Sequence, residues 1–247
     1  MQLQESAIEV YPLSIMDWFN MTKINVIKNG PYQVKGAIKL KQKTIIPNEK
    51  GESVKWKETQ LSSDKDEIYL CRCGKSENAP YCDGSHEVEG FDGTCTSSHE
   101  EYPYGGTGQI DGPRIILTDK EKLCAYARFC DPNGSVWRLA EYPSGEKDDE
   151  LAKQEAEDCP SGRLIAWSRK TGKSLELIRT ESLGLIEDAG LQISGGIQVE
   201  GPVELIDDQG ESFPLSNKKV ICRCGESGNK PFCDGTHASM KFKADYP

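Results

Sequence analysis

A cysteine-rich stretch that occurs twice constrains this chain more than any other feature. The first copy, CRCGKSENAPYCDGSH, covers residues 71–86, and the second, CRCGESGNKPFCDGTH, covers residues 222–237. Both have the spacing C-x-C-x8-C-x3-H, and eleven of the sixteen positions are identical. Three thiolates and one imidazole are typical donors for zinc and for iron-sulfur clusters. Each copy is therefore predicted to be a four-ligand metal site.

The spacing of the candidate ligands favours one kind of metal site over the other. Structural zinc sites usually pair cysteines two to four residues apart, whereas a single arginine separates the first two here. We expect the CxC pair to bind one iron of a cluster and the later Cys and His to bind the other. The two ligand sets are Cys71, Cys73, Cys82 and His86, and Cys222, Cys224, Cys233 and His237.

Both copies resemble the CDGSH iron-sulfur family, whose pattern is C-x-C-x2-(S/T)-x3-P-x-C-D-G-(S/T/A)-H. Every fixed position is present, including Ser76 with Pro80 and Ser227 with Pro231. The resemblance implies a 2Fe-2S cluster bound by three Cys and one His in each copy. A neutral imidazole makes such a cluster less negative than an all-Cys one, which should raise its potential. It should also make the site sensitive to acid, because a ligating His must lose its ring proton.

The residues between the last Cys and the His are predicted to support the ligands. The Gly allows a turn that a side chain would hinder, and the Asp can cap a short helix or accept amide hydrogens. The Ser or Thr hydroxyl can bond to cluster sulfur or to the backbone. Ordinary turn chemistry is the alternative. These candidates on the cofactor side are Asp83, Gly84, Ser85, Asp234, Gly235 and Thr236.

A second repeat precedes each motif and extends the duplication to a whole module. GPYQVKGAIKL at 30–40 matches GGIQVEGPVEL at 195–205 at five of eleven positions, and its alternation predicts strands. The first copy is longer before its motif, which we attribute to a hairpin extension within 41–63. We therefore predict an α+β fold in which two small β-rich CDGSH modules form a pseudo-dimer around a ferredoxin-like α+β insert.

The predicted organisation has four parts. Residues 1–22 are a tail or an edge strand, 23–91 the first module, 92–190 the ferredoxin-like insert, and 191–247 the second module. Because closing a long insertion costs little extra entropy, the modules at the two ends are expected to meet.

The insert carries a third candidate site. In CAYARFC, Cys124 and Cys130 occupy the first and third positions of a ferredoxin run C-x2-C-x2-C, and Ala127 stands at the second. Cys159 with Pro160 resembles the remote C-P of that run. The stretch is similar to divergent single-cluster ferredoxin domains, over roughly residues 110–170. The resemblance implies a 3Fe-4S or a 4Fe-4S cluster on Cys124, Cys130 and Cys159; a cluster-free remnant is the alternative.

Local patterns in the insert predict its elements. TDKE, with Thr118 at the cap, predicts a short helix that carries Cys124. VWRLA predicts a strand, and ELAKQEAED predicts a helix from about Lys147 that ends before Cys159. SGRLIAW predicts a further strand. Cys95 and His99 share the C-x3-H spacing but lack two more local donors, so we interpret them as surface residues.

Net charge and cysteine usage limit the partners and the cellular compartment that we expect. The chain has 30 Lys and Arg against 40 Asp and Glu, a net charge of -10, so no nucleic-acid or anionic-membrane partner is expected. The start of the chain lacks the basic residues and apolar core of a signal peptide or anchor. Six of ten cysteines lie in motifs with ligand spacing, which indicates a reducing, cytoplasmic compartment rather than disulfides.

The predicted function is one-electron transfer or redox sensing. Storage of clusters or their transfer to apo-proteins is one alternative, with His86 or His237 as the release point, and a structural zinc protein is another. No Ser-His-Asp set and no nucleotide loop is present, so no enzymatic activity is predicted. The expected partner is a redox protein or an apo-acceptor. The expected state is a monomer with internal pseudo-symmetry rather than an obligate dimer.

Overall fold

The structure is a computed structural model that describes residues 21–61, 65–100 and 107–244. Almost all of the predicted N-terminal tail or edge strand lies outside the described residues. The elements are mostly strands, with few and short helices. The strands are β1 (Lys23–Val26), β2 (Tyr32–Lys35), β3 (Lys39–Pro47), β4 (Ser53–Leu61), β5 (Glu67–Leu70), β6 (Gly108–Asp111), β7 (Ile115–Asp119), β8 (Leu164–Ser168), β9 (Ser182–Asp188), β10 (Ile193–Glu200), β11 (Glu204–Ile206) and β12 (Lys218–Ile221). The α-helices are α1 (Ser85–Val88), α2 (Val136–Glu141), α3 (Glu146–Asp158) and α4 (Thr236–Ser239).

Two sheets combine strands from both ends of the chain. The four-stranded sheet has the order β11-β1-β2-β5, and β1 pairs in parallel with β11, with Lys23 opposite Glu204. The five-stranded sheet has the order β12-β10-β9-β3-β4, and β3 pairs in parallel with β9, with Lys39 opposite Ser182. The second half of the chain thus gives one strand, β11, to the sheet of the first half, and the first half gives the β3–β4 hairpin to the sheet of the second.

The extra residues of the first half form a hairpin, as predicted. β3 and β4 pair in antiparallel fashion from Leu40 opposite Leu61 to Pro47 opposite Ser53. The corresponding strand β11 of the second half is followed only by a tight turn and a single bridge between Ile206 and Ser212. The hairpin forms one edge of the five-stranded sheet, and Trp56 of β4 stacks on Phe129 of the insert.

One hydrophobic core joins the two mixed sheets. β1, β2 and β5 bury alternate residues, as strands with one solvent-facing side do, whereas β10 and β12 are buried along their whole length. The core residues are Ile24, Val26, Tyr32, Val34, Ile38, Leu40, Ile68, Leu70, Leu183, Leu185, Ile197, Val199, Val203, Leu205, Phe213 and Ile221. Burial of these apolar side chains is the main term that holds the two halves together.

The insert has its own small sheet and core. β6, β7 and β8 form an antiparallel sheet in that order, and a separate apolar cluster includes residues of β7, α2, α3 and β8. α3 and β8 confirm the predicted helix and strand. β9, which also falls within residues 92–190, lies in the five-stranded sheet between β10 and β3.

Two local predictions in the insert are wrong. VWRLA is helix α2, because Val136, Leu139 and Ala140 have helical spacing and are buried together on one face. TDKE is no capping box: Thr118 is buried in β7, where its hydroxyl accepts a hydrogen bond from the Trp167 indole. A 3-10 turn over Glu121–Leu123 follows instead of a helix, and the segment up to Cys130 is irregular.

Among the described residues, no helix has both the length and the apolar character needed to cross a membrane.

Candidate metal centres

The CxC sulfur atoms of both copies are already placed for a common metal ion. The Sγ–Sγ distance is 3.7 Å between Cys71 and Cys73, and it is also 3.7 Å between Cys222 and Cys224. Two thiolates bound at about 2.3 Å with a tetrahedral angle lie about 3.7 Å apart. Each pair therefore has the separation expected of two ligands on one metal ion.

The later Cys and His form a second pair in each copy. Cys82 Sγ lies 3.4 Å from His86 Nδ1, and Cys233 Sγ lies 3.3 Å from His237 Nδ1. Nδ1 is thus the ring nitrogen that faces the sulfur donor. These distances also suit two ligands of one metal ion, so the eight predicted ligands form four two-ligand pairs.

The four donors of one copy do not converge on a single point. Four ligands of one tetrahedral ion would all lie within about 4 Å of each other. Among the described residues, the one group of three or more His, Cys, Asp or Glu donors that lie within 4.8 Å of one another is at a different place, at His99. Each motif therefore presents two separated pairs of donors rather than one four-donor cage.

The same backbone hydrogen bonds build both ligand loops. β5 leads into Cys71 and β12 into Cys222, and the amides of these cysteines donate to Pro80 O and Pro231 O, each at 2.8 Å. The loop serine closes each turn, since Ser76 Oγ donates to Tyr81 O at 2.6 Å and Ser227 Oγ repeats the contact to Phe232 O at 2.7 Å. The fixed Ser and Pro positions of the motif thus set the loop shape.

The three candidate ligands of the insert line one cleft. Cys124, Cys130 and Cys159 share it with apolar side chains and with Arg163. Burial, with the charges of Asp131 and Cys159 nearby, raises the pKa of Cys130 to about 12, so this thiol becomes a ligand when a bound cation displaces its proton.

The loop between Cys124 and Cys130 curls around the cleft. Tyr126 and Arg128 adopt left-handed backbone conformations, with φ of 51° and 61°. In such loops, successive backbone amides point to one side, and this arrangement is common around iron-sulfur clusters. The donor set and the loop therefore fit a cluster, although the sequence predicts a short helix at Cys124.

Comparison with known families agrees with this arrangement. Residues 29–87 and 194–238 match the iron-binding zinc finger family of CDGSH type. The chain has two CDGSH domains. Residues 110–169, between them, match the divergent 4Fe-4S mono-cluster family. No curated protein and no solved structure matches the chain. The matches support iron-sulfur binding at the sites described above.

The aspartates of the two CDGSH domains brace the turn before the histidine. Asp83 accepts hydrogen bonds from the Ser85 hydroxyl and from the Ser85 and Glu77 amides, which lower its pKa to about 2. Asp234 makes the matching contacts with Thr236 and Gly228. The Ser and Thr hydroxyls therefore donate to the aspartate rather than to the backbone.

The glycine of each CDGSH turn has a backbone reason for its identity. Gly84 and Gly235 precede α1 and α4 with φ of 92° and 88°. Residues with a Cβ rarely adopt this conformation, so glycine is needed to turn the chain and place the histidine near the preceding cysteine.

Two buried arginines are functional candidates that the sequence analysis did not single out. Arg72 and Arg223 lie between the CxC cysteines and are 1% and 2% exposed. Arg223 donates to Gly195 O, Ile186 O and the Glu187 carboxylate, whereas Arg72 donates to Gly93 O. The sequence did hold a signal for them, because arginine occupies this position in both copies of the motif. Arg223 also forms an ion pair with Glu187, and the guanidinium groups of Arg72 and Arg223 lie over the rings of Phe91 and Phe242.

The two CDGSH domains differ in how deeply they bury the histidine. The His237 residue is 4% exposed, whereas the His86 side chain is 14% exposed. Burial, with the nearby positive charge of Arg223, lowers the pKa of His237 to about 4. The insert packs on the turn that carries His237, because Cys124 O and Tyr126 lie against Gly235.

The ligand loops of the two CDGSH domains touch reciprocally. A Cβ on Gly74 would lie 2.7 Å from Cys224 O, and a Cβ on Gly225 would lie 2.5 Å from Cys73 O. The loops therefore approach as closely as bare backbone allows. Tyr32 adds a contact, because its buried hydroxyl donates to Cys222 O at 2.9 Å.

The second CDGSH domain also touches the cleft of the insert. A Cβ on Gly235 would lie 3.1 Å from Cys124 O, and Asn229 Nδ2 donates to Lys122 O at 3.0 Å. Alternate residues of the CAYARFC loop pack on Cys233, together with Val220 and Ile186 of the five-stranded sheet. Ala127 is one of them, which explains a small apolar residue where a ferredoxin run has cysteine.

The remote cysteine of the insert is held from outside the insert. Lys218 Nζ, whose side chain is fully buried, donates to Ala156 O and Glu157 O at the end of α3, both at 2.9 Å. Gln198 Nε2 donates to Pro160 O, and Trp56 Nε1 donates to Asp158 O. The backbone on both sides of Cys159 is thus fixed by both CDGSH domains.

Proposed function

We propose that this protein transfers single electrons through three iron-sulfur sites, one in each CDGSH domain and one in the insert. When bound, an iron-sulfur cluster accepts and releases one electron at a time. The protein holds the ligands, buries six of the eight CDGSH ligands, and brings the three ligand loops into contact. The contact of these loops is the observation that carries the proposal.

The pairing of donors supports a 2Fe-2S cluster in each CDGSH domain. Two separated pairs of donors suit two irons, and the CxC pair would hold one and the Cys-His pair the other. A single structural zinc would need all four donors around one point, so the geometry disfavours that alternative. Cys124, Cys130 and Cys159 provide three ligands, which suits a 3Fe-4S cluster or a 4Fe-4S cluster with one further ligand.

The contacts between loops suggest an order for the sites. The first CDGSH loop touches the second through Gly74 and Gly225, and the second touches the insert through Gly235. The second domain thus lies between the other two sites. We propose that electrons enter or leave at the exposed first domain and at the insert, with the buried second site between them.

The proposal also covers the cellular compartment, the partner and the oligomeric state. The ten cysteines, all of them among the described residues, form no disulfide, which supports a reducing compartment such as the cytoplasm. We propose that the protein catalyses no substrate conversion itself, that it exchanges electrons with a partner protein, and that it acts as a monomer. Its two CDGSH domains then play the part of two subunits, as a pseudo-dimer.

Metal analysis tests the proposal directly. Iron, sulfide and zinc are measured per chain on anaerobically purified protein, with reconstitution to exclude incomplete loading. Two 2Fe-2S clusters require about 4 irons, and a third cluster raises the total to about 7 or 8. All clusters are expected to be reduced reversibly, and electron paramagnetic resonance is used to observe the reduction. Two zinc ions per chain without iron would contradict the proposal.

Cluster donation is a second candidate for the first CDGSH domain. The exposure of His86 favours it, since a ligand that solvent can reach is more easily displaced. The test mixes loaded protein with an apo-ferredoxin and follows transfer of the intact cluster. Transfer should slow in His86→Cys and remain unchanged in His237→Cys; equal rates in both variants and wild type would exclude this role.

A further inference from the structure

A histidine outside the iron-sulfur sites lies against a turn of the second CDGSH domain. His99 belongs to the segment that leaves the first domain, and its ring stacks on Phe213 with centroids 4.1 Å apart. Donor atoms of His99, Asp207 and Glu211 all lie within 4.8 Å of one another. The sequence analysis assigned His99 to the surface because no partner donors lay nearby in sequence; the fold supplies two carboxylates from a distant turn.

The distance between His99 and Asp207 suits metal binding better than direct pairing. His99 Nε2 lies 3.4 Å from Asp207 Oδ2. A hydrogen bond between a charged imidazole and a carboxylate would shorten the distance to about 2.8 Å. Two ligands bound at about 2.1 Å with a tetrahedral angle lie about 3.4 Å apart. Nε2 is also shielded from solvent and makes no hydrogen bond to any residue that the structure describes.

The turn that carries the two carboxylates is rigid. Asp207 Oδ1 accepts hydrogen bonds from the amides of Gln209 and Glu211, each at 2.8 Å, so Oδ2 remains directed at His99. The Asp207 side chain is only 6% exposed. Glu211 is exposed, and its carboxylate can move the short distance needed to close the site. The nearby Cys95 packs against the core instead.

We propose that His99, Asp207 and Glu211 bind one divalent transition-metal cation, separate from the iron-sulfur sites. One imidazole nitrogen and two carboxylate oxygens suit Mn²⁺ or Zn²⁺, and water completes the coordination on the exposed side. The cation ties the segment that leaves the first CDGSH domain to the turn after β11 of the second. It cross-links two parts of the chain that are more than a hundred residues apart in sequence.

Titration with Mn²⁺ tests the site. Mn²⁺ is the probe because its preference for oxygen and nitrogen donors keeps it away from the thiolates. Full-length protein loaded with its clusters is titrated while electron paramagnetic resonance measures the free aqueous ion. One Mn²⁺ per chain is expected, and its binding should raise the melting temperature by mass action. Competition by Zn²⁺ at the same stoichiometry is expected as well.

Two variants and a control decide the assignment. Glu211→Gln and His99→Gln should each weaken Mn²⁺ binding at least about tenfold. Glu211 is exposed, so its variant should fold even if His99→Gln does not. Asp208→Asn removes the same charge next to the site and should change affinity less than about twofold. No saturable binding by wild type, or equal losses in Asp208→Asn and Glu211→Gln, would overturn the proposal.

Discussion

At the residue scale, the histidines of the two CDGSH motifs differ in their exposure to solvent. His86 is partly exposed, whereas His237 is buried and its pKa is lowered to about 4. A ligand nitrogen is lost when a proton competes for it, so access to water and the intrinsic affinity for the proton both matter. The same motif can thus give two sites of unequal acid stability within one chain.

We expect the first CDGSH site to lose its cluster at higher pH than the second. Acidification from pH 7 should bleach the visible absorbance in two phases. Stopped-flow spectroscopy records the absorbance during this change. Burial and the Arg223 charge hold the pKa of His237 well below its ordinary value, which disfavours the proton that would displace the metal from this ring. His86→Cys should remove the early phase, and His237→Cys should remove the late one. A single phase in wild type, or the opposite assignment, would contradict this expectation.

Lys219 gives a second pH dependence, in stability. Burial alone lowers its pKa to about 8 from an ordinary 10.5, and its Nζ donates to Val203 O. Below pH 8 the amine is charged in the folded and unfolded chain, and the buried charge costs about 3 kcal/mol. Between pH 8 and 10.5 the unfolded chain binds more protons, so stability rises with pH and the cost disappears.

Replacement of Lys219 checks this cost. Lys219→Met should be more stable than wild type at pH 7, by at most about 3 kcal/mol. The difference should shrink as the pH rises through 8 towards 10.5, measured from urea unfolding midpoints of both proteins. A difference that does not depend on pH would show that burial leaves the pKa of this amine unchanged.

At the element scale, β12 connects two candidate metal sites. It runs from Lys218, which holds the end of α3, to Ile221, which precedes the ligand Cys222. Lysine at this place neutralises the carbonyl end of the helix, just before Cys159. A change in this strand should therefore reach the insert as well as its own domain.

Lys218→Met should remove iron from the insert selectively. Without the amine, the end of α3 and Cys159 lose their anchor, and the partly buried Glu157 and Glu176 lose a counter-charge. Iron per chain should fall by about 3 or 4, with the two CDGSH clusters retained. Lys219→Met is the matched control, because its neighbouring amine faces away from α3. An unchanged iron content would refute the anchoring role.

The same elements show what the sequence could and could not predict. The ligand pairs, the β3–β4 hairpin and α3 follow from local spacing and periodicity, so they were accessible. Val136 and Trp137 favoured a strand by composition, but burial against α3 selected a helix. The CAYARFC loop buries alternate residues on a different domain, and the carboxylates near His99 come from a distant turn. Such non-local contacts leave no mark within a short window of sequence.

At the scale of the whole molecule, the contact between the two CDGSH loops depends on Gly74 and Gly225. Gly225 has φ of 86°, and a Cβ there would meet Cys73 O at 2.5 Å. Gly51 has a similar φ of 81° with no atom near its Cβ position. Comparison of alanine variants at Gly225 and Gly51 therefore separates the effect of backbone strain from the effect of contact between the domains.

Gly225→Ala should weaken the contact between the CDGSH domains. Left-handed strain costs about 1 kcal/mol in either variant, and the clash adds about 1–3 kcal/mol in Gly225→Ala. Thermal unfolding should therefore separate it from Gly51→Ala, and magnetic coupling between the reduced clusters should weaken only in Gly225→Ala. Equal destabilisation and unchanged coupling would mean that the loops do not communicate through this contact.

The exchange of strands between the two halves has a consequence for how such a chain can be divided. Without β11, β1 would present a row of unpaired amides and carbonyls, and without the β3–β4 hairpin, β9 would do the same. Open edges of this kind recruit other chains. Either half made by itself is thus a seed for aggregation or for pairing with a second copy. A single CDGSH module cut from this chain is therefore expected to need a partner for its open strand edge.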